Sequence, residues 1–229
     1  MKIKKKILGL IPARAGSVGL RNKNILKING KSLVEHAIDV GIRSKSISEV
    51  VVSTDSNKII NISKKKKINF IKRPDYLSNS NAKILDVILH ALNFYKKKNK
   101  YFEYIVCLQP TTPLKNSKMI DNGVKQIIKE GSDSLVSVYK VEDNHPSRMY
   151  SILNNKMIPL DKNNQSLNRQ KLRKIYHRDG NVYIFKTFSL EKNKDLYGKK
   201  ISPMILDVKF KLNIDNKLDF DLAKLILEK

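Results

Sequence analysis

Short runs of apolar, often β-branched residues alternate along the chain with segments whose apolar positions repeat at helical spacing. The apolar runs predict strands at residues 7–12, 49–54, 68–72, 104–109 and 134–139. Helical patterns lie between them, at about residues 32–43, 56–66, 84–97 and 116–130. Such alternation is typical of βαβ units, in which helices cover both faces of a parallel sheet. Ligands are then expected beyond the carboxyl ends of the strands.

The alternation stops after about residue 143. Residues 143–176 are polar, irregular and rich in asparagine, with an apolar, hairpin-like piece around 150–158. A stretch of this length inside a compact domain more often has a function or forms an oligomer contact than serves only as a connection. The strand pattern resumes at 181–185 and 205–214, and a closing helix starts at about Asp219. Because the chain has no internal repeat and no linker, we expect residues 1–229 to form one domain that contains this excursion.

The chain is strongly basic, with 46 lysine and arginine residues, 21 acidic residues and a formal net charge of +25. Such a charge favours an anionic partner, so a basic nucleic-acid-binding protein is one alternative. Only eight of the basic residues are arginine, the side chain that reads phosphates and bases with bidentate contacts. The sequence has no tryptophan and no aromatic motif of the ribonucleoprotein type, so nucleic acid is the less favoured partner.

The single cysteine, Cys107, excludes an internal disulfide and a zinc site made of several thiolates. It lies in an apolar run and is expected to be buried in a strand. No apolar run approaches the roughly 18 residues of a membrane span, and residues 7–12 are too short for the apolar part of a secretory signal. We therefore expect a cytoplasmic protein with no membrane partner.

The most informative segment, residues 10–24, leaves the first predicted strand and crosses a loop. Glycines there free backbone amides that can surround a phosphate, and cations can neutralise it. The residues of this type are Gly16, Gly19, Arg14, Arg21 and Lys23. The segment matches neither the Walker A pattern nor the GxGxxG dinucleotide pattern. An ordinary strand-to-helix turn with solvated cations is the alternative.

Residues 10–24, LIPARAGSVGLRNKN, resemble the signature loop of the N-acylneuraminate cytidylyltransferases. Further matches follow in order: VVSTD at 51–55, RPDYL at 73–77, DVILHA at 86–91, LQPTTPLK at 108–115, GNVYI at 180–184 and NID at 213–215. The resemblance spans nearly the whole chain. It implies a Rossmann-like, three-layer α/β/α nucleotidyltransferase with a mostly parallel central sheet and a small dimerisation excursion at about 143–176. It also implies transfer of CMP from CTP to a nonulosonic (sialic-type) acid, with release of pyrophosphate, by a homodimer.

By this resemblance, Arg14, Lys23 and Asp215 carry the catalysis. An anionic sugar must attack an anionic α-phosphate, so charge neutralisation and positioning dominate the chemistry. The implied nucleotide-binding residues are Ala13, Arg14, Gly16, Ser17, Gly19, Lys23, Asn24, Arg73 and Ala82. Lys83 and Ile84 stand where the family often has small hydroxyl residues, so the pocket for the base departs from the family pattern.

The resemblance places the sugar at Gln109, Arg148, Arg169 and Tyr183. Arginines suit an α-keto acid because their planar forks bind a carboxylate with two hydrogen bonds. In a homodimer of this kind the excursion reaches over the neighbouring subunit, so we expect Arg148 or Arg169 to act there. Surface cations on a polar loop are the alternative.

Asp215 follows the predicted strand at 205–214, which would deliver it to the ligand end of the sheet. Mg²⁺ commonly takes one or two carboxylates together with substrate phosphates, so we expect Mg²⁺ as cofactor, held by Asp215. Asn213 would lie on the same strand face as a weaker, uncharged ligand. The alternative for Asp215 is a cap on the following helix.

Two points stay open at this stage. The enzymatic alternative is activation of Kdo, an eight-carbon keto sugar. The group that activates the sugar hydroxyl is either a Mg²⁺-bound oxygen, a water, or Asp215 acting indirectly.

His90 is expected to be a packed histidine on an apolar helix, and His177 is not expected to be a catalytic base.

Overall fold

A central sheet of seven strands organises the protein, for which the computed structural model describes residues 5–16 and 19–228. The strands are β1 (Ile7–Pro12), β2 (Lys27–Ile28), β3 (Lys31–Ser32), β4 (Glu49–Thr54), β5 (Asn69–Lys72), β6 (Tyr104–Cys107), β7 (Ser134–Lys140), β8 (Tyr150–Leu153), β9 (Lys156–Pro159), β10 (Tyr176–Lys186) and β11 (Ile201–Ile205). The helices are α1 (Leu33–Arg43), α2 (Asn57–Lys65), α3 (Ile84–Lys96), α4 (Ser117–Glu130), α5 (Thr187–Asn193) and α6 (Lys217–Leu227).

The order of strands in the main sheet is β11-β7-β10-β6-β1-β4-β5. Strand β10 runs antiparallel to β6 and β7, and the other neighbouring pairs are parallel. The prediction of a mostly parallel central sheet is therefore confirmed. Two short antiparallel pairs, β2 with β3 and β8 with β9, lie outside this sheet.

Both faces of the sheet are buried, and β1 shows why. Ile7 and Ile11 pack with residues of α1, α2 and α4, whereas Leu8 and Leu10 pack with residues of α3 and α5. Successive side chains of a strand point to opposite faces, so an uninterrupted apolar strand needs a helical layer on each side. The result is the predicted three-layer α/β/α arrangement. No helix among residues 5–16 and 19–228 is long and apolar enough to cross a membrane.

Three of the predicted helix starts, Ser32, Ser56 and Asn116, coincide with capping residues. Ser32 and Glu35 form a capping box at α1, and the Asn116 side chain accepts a hydrogen bond from Met119 N at the start of α4. Helix α4 ends at Gly131, whose φ of 64° is accessible to glycine at little cost. Four of the predicted helices therefore begin and end within one residue of the observed ones.

The predicted strand at 205–214 is wrong. Strand β11 already ends at Ile205, and a 3-10 turn (Val208–Phe210) follows it. Leu212 and Ile214 alternate with exposed residues because both side chains pack in an apolar cluster with α6. The backbone is not part of the sheet here, since Ile214 N donates to Thr111 O, which lies in a loop. The two-residue period therefore reflects packing under a loop, and Asp215 leaves from that loop.

Residues 141–175 form an excursion between β7 and β10. Its two ends meet, since Val141 N donates to Ile175 O over 3.0 Å. Within it, β8 and β9 form a hairpin whose turn residues Asn154 and Asn155 both have positive φ, as a type I′ turn requires. The excursion coincides with the region for which dimerisation is predicted, and that role stays a prediction.

Candidate active site

The carboxyl ends of four parallel strands meet at one edge of the sheet. Arg14 follows β1, Asp55 follows β4, Arg73 follows β5 and Gln109 follows β6. Two adjoining cavities open at this edge, with volumes of about 550 and 790 Å³. We call the smaller one the cationic cavity, since Arg14, Lys23 and Arg73 line it, and the larger one the aromatic cavity, since Tyr139, Tyr176, Tyr183 and Tyr197 line it. Ile84, Gln109 and Asn213 line both cavities.

Hydrogen bonds hold the backbone of residues 13–15, which follow β1, in place. Ala13 is buried and its N–H donates to Ser53 O over 3.0 Å. Ala15 N donates to Asp55 Oδ1 over 2.8 Å, and the buried Asn24 side chain donates from Nδ2 to Arg14 O over 3.0 Å. These contacts fix the backbone from which Arg14 enters the cationic cavity.

Several residues predicted from the loop lie at the cavity and others do not. Arg14, Gly19, Lys23 and Asn24 line the cationic cavity. Ser17 lies outside the described residues. A Cβ built on Gly16 would meet no described atom within 4 Å. No contact with a described residue therefore requires glycine at position 16.

Arg73 forms a fixed part of the wall. Its guanidinium is buried and donates from Nε to Ser53 Oγ over 3.2 Å and from Nη2 to Ser53 O over 2.8 Å. Burial lowers the pKa of Arg73, and the nearby Asp55 carboxylate acts against that shift. Ala82, predicted to bind the nucleotide, lines the same cavity. Asn79 and Ser80 line it as well, and sequence reasoning missed them although they fall in the segment that departs from the family pattern.

Asp215 joins the loop through Lys23. Lys23 Nζ lies 2.9 Å from Asp215 Oδ1, and Asn213 Nδ2 donates to Asp215 Oδ2 over 2.6 Å. A Cβ on Gly19 would lie 2.4 Å from Asp215 O, so only glycine allows this close approach of the two segments. Lys23, Asn213 and Asp215 thus lie together, although a loop and not a strand positions Asp215.

The donor set around Asp215 fits a Mg²⁺ ion that arrives with a triphosphate. Mg²⁺ takes oxygen ligands and is usually held by one or two carboxylates plus phosphate oxygens. Asp215 supplies a carboxylate and Asn213 an amide, while the described part of the chain contains no cluster of three or more His, Cys, Asp or Glu residues able to hold a metal by itself. Substrate phosphates would have to complete such a site.

The aromatic cavity contains two of the residues predicted for the sugar, Gln109 and Tyr183. Burial raises the pKa of Tyr183 to about 12, so its hydroxyl stays protonated at neutral pH. Arg178 also lines this cavity; its guanidinium carbon lies 5.5 Å from the centre of the Tyr197 ring, and its Nη1 contacts the Tyr197 hydroxyl. Sequence reasoning missed Arg178 because the predicted strand began at residue 181, whereas β10 begins at Tyr176.

Arg148 and Arg169, also predicted for the sugar, lie elsewhere. Arg148 Nη1 is 2.8 Å from Asp143 Oδ1, and Arg169 pairs with Glu142. In the part of the chain that the structure describes, neither arginine lines either cavity. One chain therefore does not bring them to Gln109, and their action on a neighbouring subunit stays a prediction.

Comparison with known proteins identifies the family. Residues 8–215 match the model of the family described as cytidylyltransferase. This chain belongs to the cytidylyltransferase family. It is 32% identical over 228 residues to N-acylneuraminate cytidylyltransferase of Escherichia coli O18:K1:H7, covering 98% of this chain and 52% of that protein, so it spans about half the length of that relative. It is 30% identical over 224 residues to CMP-N,N'-diacetyllegionaminic acid synthase of Campylobacter jejuni, covering 97% of this chain and 95% of the relative.

Solved structures agree with the family on the fold. CMP:2-keto-3-deoxy-manno-octonic acid synthetase complexed with CTP superimposes with a TM-score of 0.73 at 14% identity, covering 97% of this chain and 98% of the other. A structure of 4-diphosphocytidyl-2C-methyl-D-erythritol synthase gives a TM-score of 0.71 at 13% identity and covers 98% and 100%. The predicted nucleotidyltransferase fold is confirmed.

In this chain, Cys107 and His90 lie outside the cationic cavity, whereas His177 lines the aromatic cavity. Cys107 is buried at the end of β6, as expected, and burial raises the pKa of its thiol to about 12, which keeps it protonated and unreactive. Burial lowers the pKa of His90, which lies on α3 away from both cavities. The His177 ring lies 5.5 Å from that of Tyr139 in the wall of the aromatic cavity.

Proposed function

We propose that this protein transfers CMP from CTP to a nonulosonic (sialic-type) acid and releases pyrophosphate. The observation that carries the proposal is the pair of adjoining cavities, which share Ile84, Gln109 and Asn213 and differ in their chemistry. A triphosphate suits the cationic cavity, and a sugar acid suits the aromatic cavity with its arginine. The printed names of the E. coli and C. jejuni relatives support this substrate class.

CTP would bind with its triphosphate at the loop after β1. Arg14 and Lys23 would neutralise the phosphates, and Lys23 would exchange its contact with Asp215 Oδ1 for a phosphate oxygen. The backbone at Arg14 and Ala15 is already held by Asn24 and Asp55, so binding would cost little ordering of the backbone at these two residues. The base would lie toward Ala82, in the wall of the same cavity.

The acceptor acid would bind in the aromatic cavity. Arg178 would hold its carboxylate, because a guanidinium donates two parallel hydrogen bonds to a carboxylate and this one lies against an aromatic ring inside the cavity. Gln109 and Tyr183 would donate to hydroxyl or acyl oxygens of the sugar. Since Gln109 lines both cavities, it lies where the two substrates would meet.

The protein would promote the reaction mainly by positioning the two substrates rather than by covalent catalysis. The sugar hydroxyl oxygen forms a bond to the α-phosphorus, the bond from that phosphorus to the bridging oxygen of the β-phosphate breaks, and the hydroxyl proton passes to water. Both reactants are anions, so the cations of the first cavity would lower the barrier by offsetting their repulsion.

We also propose that Asp215 and Asn213 hold Mg²⁺ when CTP is bound. The donor set described above supports this, with the phosphates as further ligands. The ion would supply additional positive charge next to the triphosphate. Asn213 Nδ2 already orients the Asp215 carboxylate in the free protein.

We propose further that the protein acts as a homodimer through the excursion. The β8–β9 hairpin exposes large apolar side chains to an unusual extent, with Ile152 75% and Met157 64% exposed. A second copy covering the hairpin would bury them, and would bring Arg148 or Arg169 toward the partner's aromatic cavity. Mixing an Arg169→Ala variant with an Asp215→Asn variant tests this, since mixed dimers would then regain one intact site and with it part of the activity, whereas monomers would not.

The reaction itself is tested by measuring pyrophosphate release from CTP and Mg²⁺ with sialic, legionaminic, pseudaminic and Kdo acids. We expect turnover with at least one of the first three. Turnover with Kdo alone would favour the other enzymatic alternative. No turnover with any acid, together with steeply salt-dependent binding to DNA, would overturn the proposal in favour of a nucleic-acid-binding protein.

A further inference from the structure

Lys115 is a buried cation beneath the active-site edge that the proposed reaction does not use. It lies in the loop between β6 and α4 and is only 4% exposed. Its Nζ lies 2.5 Å from Gln109 O, 2.6 Å from Thr112 O and 2.7 Å from Thr112 Oγ1. One ammonium group therefore binds three oxygens of a single turn, and the first of them belongs to the residue that lines both cavities.

These contacts fix the exit of β6. The Gln109 and Thr112 carbonyls accept from Lys115, and Thr112 N approaches Gln109 O only at 3.5 Å, so the turn has little backbone hydrogen bonding of its own. Lys115 thus supplies donors that the loop does not provide. Gln109 O also accepts from Thr112 Oγ1 over 3.2 Å, so loss of Lys115 would remove the shorter of these two contacts to the Gln109 carbonyl.

Thr112 connects these contacts to Gly180, which lines the aromatic cavity. The fully buried Thr112 Oγ1 lies 3.2 Å from Gly180 O. Gly180 has φ of +81°, and a Cβ there would lie 3.0 Å from Thr112 Cγ2 and 3.4 Å from Gln109 Oε1. The Gly180 turn and Gln109 are therefore packed against each other above Lys115.

The burial of this amino group is costly in either protonation state, which argues against a role in packing alone. An apolar residue of similar length would fill the space without the penalty of removing an ammonium group from water. Burial lowers the pKa of Lys115 to about 7, and the carboxylate of Asp179 acts against that shift. Asp179 is itself buried beside Gly180, and no donor among the described residues contacts its Oδ2.

We propose that Lys115 is a positioning residue for the acceptor acid: through Gln109 and the Gly180 turn it sets the shape of the aromatic cavity. This inference rests on the proposed function, which assigns that cavity to the acceptor. Lys115 contacts no substrate in this account and acts only through the residues it holds.

CTP binding should depend on Lys115 much less. The residues that would bind the triphosphate are held by contacts elsewhere: Lys23 by Asp215, Arg73 by Ser53, and the Arg14 backbone by Asn24. The turn that Lys115 holds also brings Pro110 and Thr111 to the cationic cavity, but neither is among the residues proposed to bind the triphosphate. The aromatic cavity depends on the same turn for Gln109 and, through Thr112, for Gly180.

The test compares Lys115→Met with Lys118→Met, an exposed lysine three residues further along the chain. Both variants are assayed for pyrophosphate release with an acid that the wild-type protein turns over. For Lys115→Met we expect a rise of about tenfold or more in KM for the acid and a change of less than about twofold in KM for CTP, as for the loss of hydrogen bonds from a charged group. Lys118→Met should change neither. An equal rise in both KM values, or no rise in either, would overturn the inference.

Two further variants keep the inference testable if Lys115→Met does not fold. Lys115→Arg retains the charge and the donors, and its KM for the acid should stay within about threefold of the wild-type value. Thr112→Val removes the hydroxyl that links Lys115 to Gly180 and should raise KM for the acid alone, by about threefold. Unchanged KM in Thr112→Val would count against the inference. If the wild-type protein turns over no acid, the proposed function fails and this inference fails with it; if it does turn over an acid but shows no selective effect, this inference alone fails.

Discussion

The two cavities meet at one edge of the sheet but are built in different ways. The cationic cavity takes two of its three cations, Arg14 and Lys23, from one loop and the third, Arg73, from the end of β5. The aromatic cavity gathers side chains from β6, β7, β10, the segment around Tyr197 and α6. Two of the three cations proposed for the triphosphate thus come from one recognisable segment, whereas the acceptor wall has no such segment and depends on how distant elements pack.

The largest effect is expected at Asp215, which lines the cationic cavity and contacts Asn213, a residue that lines both cavities. Asp215→Asn removes the carboxylate proposed to hold Mg²⁺ and should lower kcat by at least about 100-fold, since loss of one well-placed electrostatic contact costs that much in comparable sites. The side chain is mostly exposed, so the melting temperature should change little. Pyrophosphate release measured over a range of Mg²⁺ concentrations provides the check, and near-normal turnover would remove Asp215 from the metal site.

A change in the cationic cavity should weaken CTP use selectively. Arg14→Ala removes a charge-assisted contact to phosphate and should lower kcat/KM for CTP by about 10- to 100-fold. Arg43→Ala, an exposed arginine at the end of α1, is the matched control and should have little effect. If the two variants behave alike, Arg14 does not bind the triphosphate.

The corresponding change in the aromatic cavity should affect the other substrate. Arg178→Gln should raise KM for the acid by about tenfold, because the amide keeps a hydrogen bond but loses the bidentate, charged contact. The exposed Arg173 of the excursion provides the control variant Arg173→Gln. Steady-state kinetics with each substrate varied in turn would show the selectivity, and a rise in KM for CTP instead would assign Arg178 to the wrong substrate.

The smallest expected effect concerns the contact between the loop and the Asp215 segment. A Cβ on Gly19 would clash with Asp215 O at 2.4 Å, whereas one on Gly16 would meet no described atom within 4 Å. Gly19→Ala should therefore lower the free energy of unfolding by about 1–3 kcal/mol, as for other overpacked sites. Gly16→Ala should leave it nearly unchanged, and thermal or denaturant unfolding of the two variants compares them directly. Equal stability would show that the two segments are not in contact in solution.

The same contrast explains how much could be predicted from the sequence. Strands with apolar residues on both faces and helices with clear capping residues were predicted almost to the residue, because local patterns determine them. The strand at 205–214 was wrong because Leu212 and Ile214 alternate for a different reason, their burial against α6. Period alone does not distinguish a strand from an extended segment packed under a helix.

The site follows the same rule. Arg14, Lys23 and Asn24 lie in one recognisable segment, so their placement at the cationic cavity could be predicted. Arg178 enters the aromatic cavity only because β10 starts five residues earlier than its apolar pattern indicates, where it pairs with β7. Lys115 is the last residue of the LQPTTPLK match, but its burial could not be predicted from that match because it depends on the packing of distant segments.

The division of the two substrates between the two cavities is tested most directly by titrating CTP, with Mg²⁺ and without any acid, into the wild-type, Arg14→Ala and Arg178→Gln proteins by calorimetry. We expect the Kd for CTP to rise about tenfold or more in Arg14→Ala and to stay within about twofold in Arg178→Gln. Equal weakening in both variants, or no CTP binding by the wild-type protein, would contradict the assignment of CTP to the cationic cavity.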